Sequence, residues 1–291
     1  MRRKPSVSAI LKLSHINFAR ILIMVTKPEP APVPTQSDWS DPPSRREWIT
    51  DTLFELGELH IEQIANALHV STATAYRDAQ ALENQGIIIR SKGFLRAVAP
   101  STAELPAAVR AKRQLDEKRA LAHAAAKLVS PGDVIILDDS TTNVPLIPLL
   151  KHVKSLTIIT NSLHVAREFS EVHSHQLILL GGHYINWADS FYGTHANEMV
   201  KDFRADISFM SDAAVWSGAI YNPKDFVVNM KRAILQASQR KVLMLDHNKF
   251  SRAAWQRTAS LDEFTTIYTT SHTRPGDVAN LRKYCSDVHV I

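Results

Sequence analysis

A chain of 291 residues, 45% of them hydrophobic and 22% charged, holds enough material for two packed domains, because one domain usually takes about 100 to 200 residues. No apolar run approaches the ~20 residues that a membrane-spanning helix needs, and a single cysteine, Cys285, excludes an internal disulfide and a multi-cysteine metal site and points to a reducing, cytoplasmic setting. The net charge of +5 fits nucleic-acid binding without requiring it.

The first residues carry Arg2, Arg3 and Lys4 ahead of an apolar stretch around Ile21 to Val25. His15, Asn17 and Arg20 interrupt that stretch and no small-residue cleavage pattern follows, so no secretion signal is expected, and Met24 offers a second candidate start. Six prolines among polar residues between Pro28 and Pro43 cannot bury enough apolar surface to offset the cost of ordering, which makes residues 1–43 an expected disordered leader.

Residues 44–100 change character. Trp48, Ile49, Leu53 and Leu56 build one apolar helical face, and Ile61, Ile64, Ala65 and Leu68 build a second. A third helix starts after Ser71, a good N-cap, with Ala75, Ala79 and Leu82 on one side and Thr72, Ala73, Tyr76, Arg77 and Gln80 nearer the other, and Gly86 ends it. The following "IIIRSKGFLRAVA" alternates around a glycine and predicts a hairpin carrying Arg90, Lys92 and Arg96. Three helices and a basic hairpin describe a winged helix-turn-helix, in which exposed side chains early in the third helix reach base edges and the cations meet phosphates. The competing reading is a protein-interaction module: residues 44–118 hold ten Lys/Arg against ten Asp/Glu. The acids lie mostly before the third helix while the hairpin is purely basic, which favours DNA.

Residues 101–118 read as a linker running into a helix through "ALAHAAAKLV". Beyond it, over residues 119–291, short apolar runs at 134–137, 156–159, 177–180, 207–210, 242–245 and 265–268 alternate with helix-like segments, which predicts a largely parallel, Rossmann-like α/β sheet with ligands at the carboxyl ends of its strands. Those ends carry "LDDSTTN", "TNS", "GG" and "DHNK". Thr141, Thr142 and Ser162 offer hydroxyls, Gly181 and Gly182 allow backbone N–H groups to approach a ligand, and Lys249 supplies a cation, a set suited to a hydroxylated anion. Each residue alone has a structural explanation as a cap or turn; their recurrence at four strand ends favours one pocket. The histidines show no ligand spacing, so no metal and no cofactor are expected, and no residue is assigned a catalytic role.

The segment "VSTATAYRDAQALENQG", with Val70, Ser71, Thr74, Arg77, Asp78, Leu82, Glu83 and Gly86, followed in order by "LDDSTT", "TNS", "LLGG", "FYG", "MKRAI" and "LDHNKF", resembles the DeoR family of bacterial transcriptional regulators over nearly all of 44–270. The resemblance implies a winged helix-turn-helix on a sensor domain similar in fold to ribose-phosphate isomerases, which binds a phosphorylated sugar or related metabolite and controls affinity for a double-stranded operator. DNA contacts then fall on Ser71, Thr72, Ala73, Thr74, Tyr76, Arg77, Arg90, Lys92 and Arg96. Effector contacts fall on Asp138, Ser140, Thr141, Thr142, Asn161, Ser162, Gly181, Gly182, Lys231, Asp246 and Lys249. Ser140, Ser211 and Ala214 stand where the family has glycines, with Asp212 between the last two, and the hairpin carries "SKGF" in place of His-Gly-Gly. The expected function is a cytoplasmic regulator, read as a repressor of carbohydrate-metabolism genes acting as a homodimer or homotetramer. The alternative is a sugar-phosphate isomerase-like enzyme with an N-terminal interaction module, and a third reading is an oligomerisation scaffold with an empty pocket.

Overall fold

The structure is a computed structural model that describes residues 41–56, 58–97 and 104–291. Most of the expected leader, including the apolar stretch around Ile21 to Val25 and the candidate start at Met24, lies outside the described residues.

The head begins with α1 (Pro42–Leu56), β1 (Glu58–His60), α2 (Ile61–Ala67), α3 (Thr72–Asn84), β2 (Ile88–Ser91) and β3 (Phe94–Ala97). Helix α1 starts inside the stretch expected as leader: proline's fixed φ suits the first helical positions, where its missing N–H has no partner to lose. Ser71 caps α3 by accepting from Thr74 N at 3.1 Å, and Gly86 takes φ +69° past its end. Ala75, Ala79 and Leu82 bury their expected face against Ile49, Leu53 and Ile64. Strands β2 and β3 pair antiparallel across a turn at Lys92 and Gly93, both at positive φ, a hairpin geometry that twists with its strands. Gly93 takes φ +81°, a conformation that favours glycine, and a Cβ there would also press on the His60 ring at 2.8 Å. Strand β1, which the periodicity does not predict, pairs with β3 to complete a three-stranded sheet.

The linker region carries α4 (Ala107–Lys112), and Gln114, at φ +48°, breaks it from α5 (Leu115–Ala125). The sensor continues with β4 (Val134–Leu137), α6 (Ile147–Leu150), β5 (Thr157–Thr160), α7 (Leu163–Ser170), β6 (Gln176–Leu179), β7 (His183–Ile185), β8 (Ser190–Tyr192), α8 (Thr194–Lys201), β9 (Ala205–Met210), β10 (Ala214–Trp216), β11 (Ala219–Asn222), α9 (Asp225–Gln236), β12 (Ser238–Leu245), β13 (Gln256–Ser260), β14 (Thr266–Thr269), α10 (Pro275–Leu281) and β15 (Val288–Val290). Seven of these strands form one parallel sheet in the order β15-β14-β12-β9-β4-β5-β6.

Side chains alternate between the two covered faces, as the strand period of two demands. Ile135, Leu137, Val242 and Met244 pack with α5 and α7, whereas Ile136, Leu243 and Leu245 pack with α8 and α9. Burial on both faces is why these strands read as unbroken apolar runs. After β4 the chain moves outward through β5 and β6, then returns to the opposite side of β4 as β9. That reversal opens a crevice at the carboxyl ends of β4 and β9, the place where open α/β sheets bind ligands.

Candidate functional site

On the head, the exposed start of α3 presents Ser71, Thr72, Ala73, Tyr76 and Arg77, with Thr74 half-buried between them. Tyr76 is 43% exposed, a large aromatic without a core to enter. The Arg77 guanidinium lies along the helix, donating to Thr74 Oγ1 at 3.3 Å and Ala73 O at 3.4 Å. Two of the three hairpin cations already hold acids. Arg90 pairs with Glu83 at 2.6 Å and holds its carboxyl below the usual range, and Arg96 pairs with Glu58. Lys92 stands exposed at the turn.

A contact that the sequence alone does not reveal sets the angle of α3. Asp78, buried on its inner side, accepts from Arg45 Nε at 2.7 Å and Arg46 Nε at 3.1 Å, both on α1.

On the sensor, the crevice gathers the end of β4 (Asp138, Asp139, Ser140), the end of β9 (Ser211, Asp212), Lys231 from α9 and Lys249 beyond β12. Lys231 is buried and surrounded by protein acceptors: it bonds to Asp138, to Ser140 Oγ at 3.1 Å and to Ser211 O at 2.8 Å. Burial draws its pKa down, but Asp138, Asp139 and Asp212 outweigh burial and leave it above the normal lysine range. Burial pushes Asp138 up, opposed by Lys231; Asp138 also accepts from Ser140 N at 2.9 Å and Asn143 Nδ2 at 2.7 Å, and the one Ser140 Oγ proton lies within reach of both Asp138 Oδ2 and Ser211 O. Lys231, expected at the effector, lines the crevice with its ammonium already meeting three acceptors and holding β4, β9 and α9 together. Ser140 supplies one of them and also receives Ser211 N at 3.2 Å.

Two other cations lie at or behind the crevice. Lys249, partly buried, stands 3.9 Å from Asp246, and desolvation lowers its pKa. Burial, then repulsion from Lys249, brings Lys118 down to about 7, while it donates to Thr141 Oγ1 at 3.1 Å. Asp246 itself caps the turn after β12 by accepting from Asn248 N at 3.1 Å. Asp212 accepts from Ala213 N at 2.8 Å and Asn222 Nδ2 at 2.7 Å. Burial raises it to about 6 against the opposing pull of Lys231.

Asp212→Asn is accordingly expected to stabilise the protein. A carboxyl whose folded pKa stands above its unfolded value loses stability as pH rises through about 6. The amide removes that loss, so differential scanning fluorimetry at pH 7.5 should show a gain of about 1–3 kcal/mol, since each pH unit between the folded and unfolded pKa is worth ~1.4 kcal/mol, and the gain should disappear below about pH 4. Equal melting of the two proteins at pH 7.5 would refute the assignment.

The remaining expected residues divide. Ser140, Thr141 and Thr142 are all buried, the first two at the lining of the crevice and Thr142 behind it. Ser162 caps α7, accepting from Val165 N at 3.4 Å, and opens onto a neighbouring cleft. Asn161 donates to Phe191 O at 3.2 Å. Gly181 and Gly182 lie elsewhere, in a hollow with Gly193 and Thr194. A Cβ on Gly182 would meet Tyr192 O at 2.5 Å, so this glycine allows two backbone segments to pack and is not brought to the Lys231 cluster.

Sequence reasoning missed Glu104 and Arg110, which fill the mouth of the crevice from the linker side. Arg110 Nη1 lies 3.0 Å from Glu104 Oε1, and its Nε donates to Leu105 O at 2.9 Å. Burial opposes the Arg110 charge, but Glu104 and then Asp139 raise its pKa beyond the normal arginine value. The space left among Glu104, Arg110, Asp139, Asp212 and Lys249 is about 10 Å³, enough for about one water molecule. Beside it opens a cleft of about 920 Å³ between the end of α3 (Asn84, Gln85), α4 and the sensor residues Asp139, Arg167 and Trp187. The signal for the missed segment was Leu105 and Val109, apolar at helical spacing within an apparent linker. Among the described residues no cluster of His, Cys, Asp or Glu is arranged to hold a metal, and no helix is long and apolar enough to cross a membrane.

Comparison with known proteins adds two family matches: the DeoR-like helix-turn-helix domain over residues 45–101 and the DeoR C-terminal sensor domain over residues 113–271. An uncharacterized HTH-type transcriptional regulator, YgbI, of Escherichia coli K12 is 32% identical, covering 78% of this chain and 89% of its own length. The transcriptional repressor AccR of Agrobacterium fabrum is 29% identical over 79% and 90% of the two chains. The lactose phosphotransferase system repressor of Staphylococcus aureus N315 is 30% identical over 77% and 90%. A ribose 5-phosphate isomerase A from Methanocaldococcus jannaschii aligns with a TM-score of 0.35 at 17% identity, over 47% of this chain and 54% of that one, a level that supports no argument about this chain.

Proposed function

The chain belongs to the DeoR family of transcriptional regulators, and from that premise we propose that it is a cytoplasmic repressor of carbohydrate-metabolism genes, released from its operator by a phosphorylated sugar or related metabolite at the β4–β9 crevice. The carrying observation is the pairing of an exposed, capped α3 with a crevice at the sheet's reversal that gathers both cations and carboxylates. Thr72, Ala73 and Tyr76 then read base edges, while Ser71, Thr74, Arg77 and Lys92 meet phosphates. Arg90 and Arg96 contribute only by exchanging Glu83 and Glu58 for phosphate, which reduces their share.

In the crevice, Lys249 supplies charge for an anion, Lys118 orients Thr141 from behind it, and Asp139 and Asp212 accept hydrogen bonds from hydroxyls. We read the site as binding without turnover: Asp138 is buried against the Lys231 ammonium, Ser140 N and Asn143 Nδ2, which hold it in the framework and away from a substrate proton. Two operator half-sites need two reading heads, hence a homodimer or homotetramer.

A gel-shift with the promoter upstream of its own gene, with and without a panel of sugar phosphates, tests this; no shift at low salt contradicts it. Arg77→Ala should weaken binding to every sequence by about 3- to 10-fold and flatten the salt slope by about one phosphate. Arg90→Ala should do less, because Glu83 already holds that guanidinium in the wild type. Equal losses would show that the Glu83 pair does not persist in the protein.

A further inference from the structure

Resting on that reading of the crevice, we propose that Glu104 to Arg110 is a latch, a tethered surrogate of the effector that closes the crevice and that an anionic, hydroxylated ligand must displace. Leu105 is buried in the head's core and Val109 packs against that core. Glu104 and Arg110, on the same short segment, are buried at the sensor's strand ends, their side chains 7% and 9% exposed. One segment therefore grips both parts of the molecule.

Its charges mirror what the crevice complements. The Arg110 guanidinium feels Asp139 and Asp138, while the Glu104 carboxylate acts on Lys249 and Arg252. A ligand with an anion in place of the Glu104 carboxylate, and hydroxyl donors in place of the guanidinium, offers the crevice the same pattern. The surrogate fits imperfectly: Arg110 Nη2 is buried without a hydrogen-bond partner, and Asp139 Oδ1 has none either, with only the Lys231 ammonium 3.7 Å away. Buried polar groups left unpaired are costly, so a ligand whose hydroxyl meets Asp139 gains over the latch.

With about 10 Å³ left between the latch and the crevice, latch and ligand exclude each other. Ligand entry displaces Glu104 and Arg110 and breaks the bond from Lys118 to Arg110 O. Leu105 and Val109 carry that movement to the head, which gives the ligand the differential affinity that regulation requires.

The test compares full-length wild type with Arg110→Met and with Glu104→Gln, a near-isosteric change that keeps the fold if the first does not. Two quantities are read: ligand-free affinity for its own promoter DNA, and affinity for D-ribose 5-phosphate, D-glucose 6-phosphate and inorganic phosphate by calorimetry. Loss of the latch is expected to weaken ligand-free DNA binding at least tenfold and to tighten at least one probe at least tenfold. If DNA binding falls while no probe binds any of the proteins, the latch stands and the effector class is wrong. If a probe tightens while none of the proteins binds DNA, the latch stands and the reading of the head is wrong. DNA and probe affinities in both variants within twofold of wild type, or absent throughout, overturn the latch.

Discussion

Lys231→Met is expected to destabilise the protein by about 3–5 kcal/mol, the usual cost when a buried ion pair loses one partner. The methionine keeps the length of the stem but leaves Asp138 fully buried with an uncompensated charge, and leaves Ser211 O and Ser140 Oγ without their ammonium donor. Because Lys231 joins α9 to the ends of β4 and β9, the loss falls on the centre of the sheet. For a chain of this size that is a fall in melting temperature on the order of 10 °C. Adding Asp138→Asn removes the stranded charge, so the double variant should recover part of the loss. The pH dependence has a definite sign. Without Lys231 the folded pKa of Asp138 rises further above its unfolded value, so the destabilisation is present at neutral pH and shrinks as acid protonates the carboxyl. Urea melts of the four proteins of this cycle at pH 5 and pH 7.5 measure it; simple additivity at both pH values would show that the two side chains do not interact.

The contrast between Lys231 and the strands around it shows what a sequence displays. The runs at 134–137 and 242–245 are legible because parallel strands buried on both faces are apolar at every position. Helix α3 is legible because its cap, its apolar face and its terminal glycine agree. The short antiparallel strands β7, β8, β10, β11 and β13 carry mixed polar and apolar residues over three to five positions, too few for a period to emerge. In the crevice the residue types at the strand ends are readable, but their partners are not: Asp138 and Lys231 are 93 positions apart, and only the order of the strands brings them together. The same holds for Arg90, assigned to phosphate from its place in a basic hairpin although Glu83 across the α3–β2 corner already holds it. Gly182 shows the converse case. Its position after a strand suggests approach to a ligand, yet the approach it permits is that of Tyr192.

Asp78→Ala is expected to cost the head about 3 kcal/mol and most of its DNA affinity, although Asp78 faces away from the exposed side of α3. Its two oxygens receive Arg45 and Arg46, one at each, so the carboxylate fixes both the distance and the rotation of α3 relative to α1. Truncation removes a charged acceptor from a buried site and leaves a methyl group beside two guanidinium groups. Arg46→Ala should cost less, because its side chain is 33% exposed and solvent screens the pair. Asp78→Asn should fall between them, since its amide retains one acceptor. Hydrogen exchange distinguishes a local from a general effect: amides of residues 72–84 should exchange faster in Asp78→Ala while those of β4 and β9 keep their protection. The functional consequence comes through orientation, because Thr72, Ala73 and Tyr76 reach base edges together only if α3 enters the groove at one angle. Unchanged exchange over 72–84 with full DNA affinity would show that apolar packing of Ala75, Ala79 and Leu82 alone sets that angle.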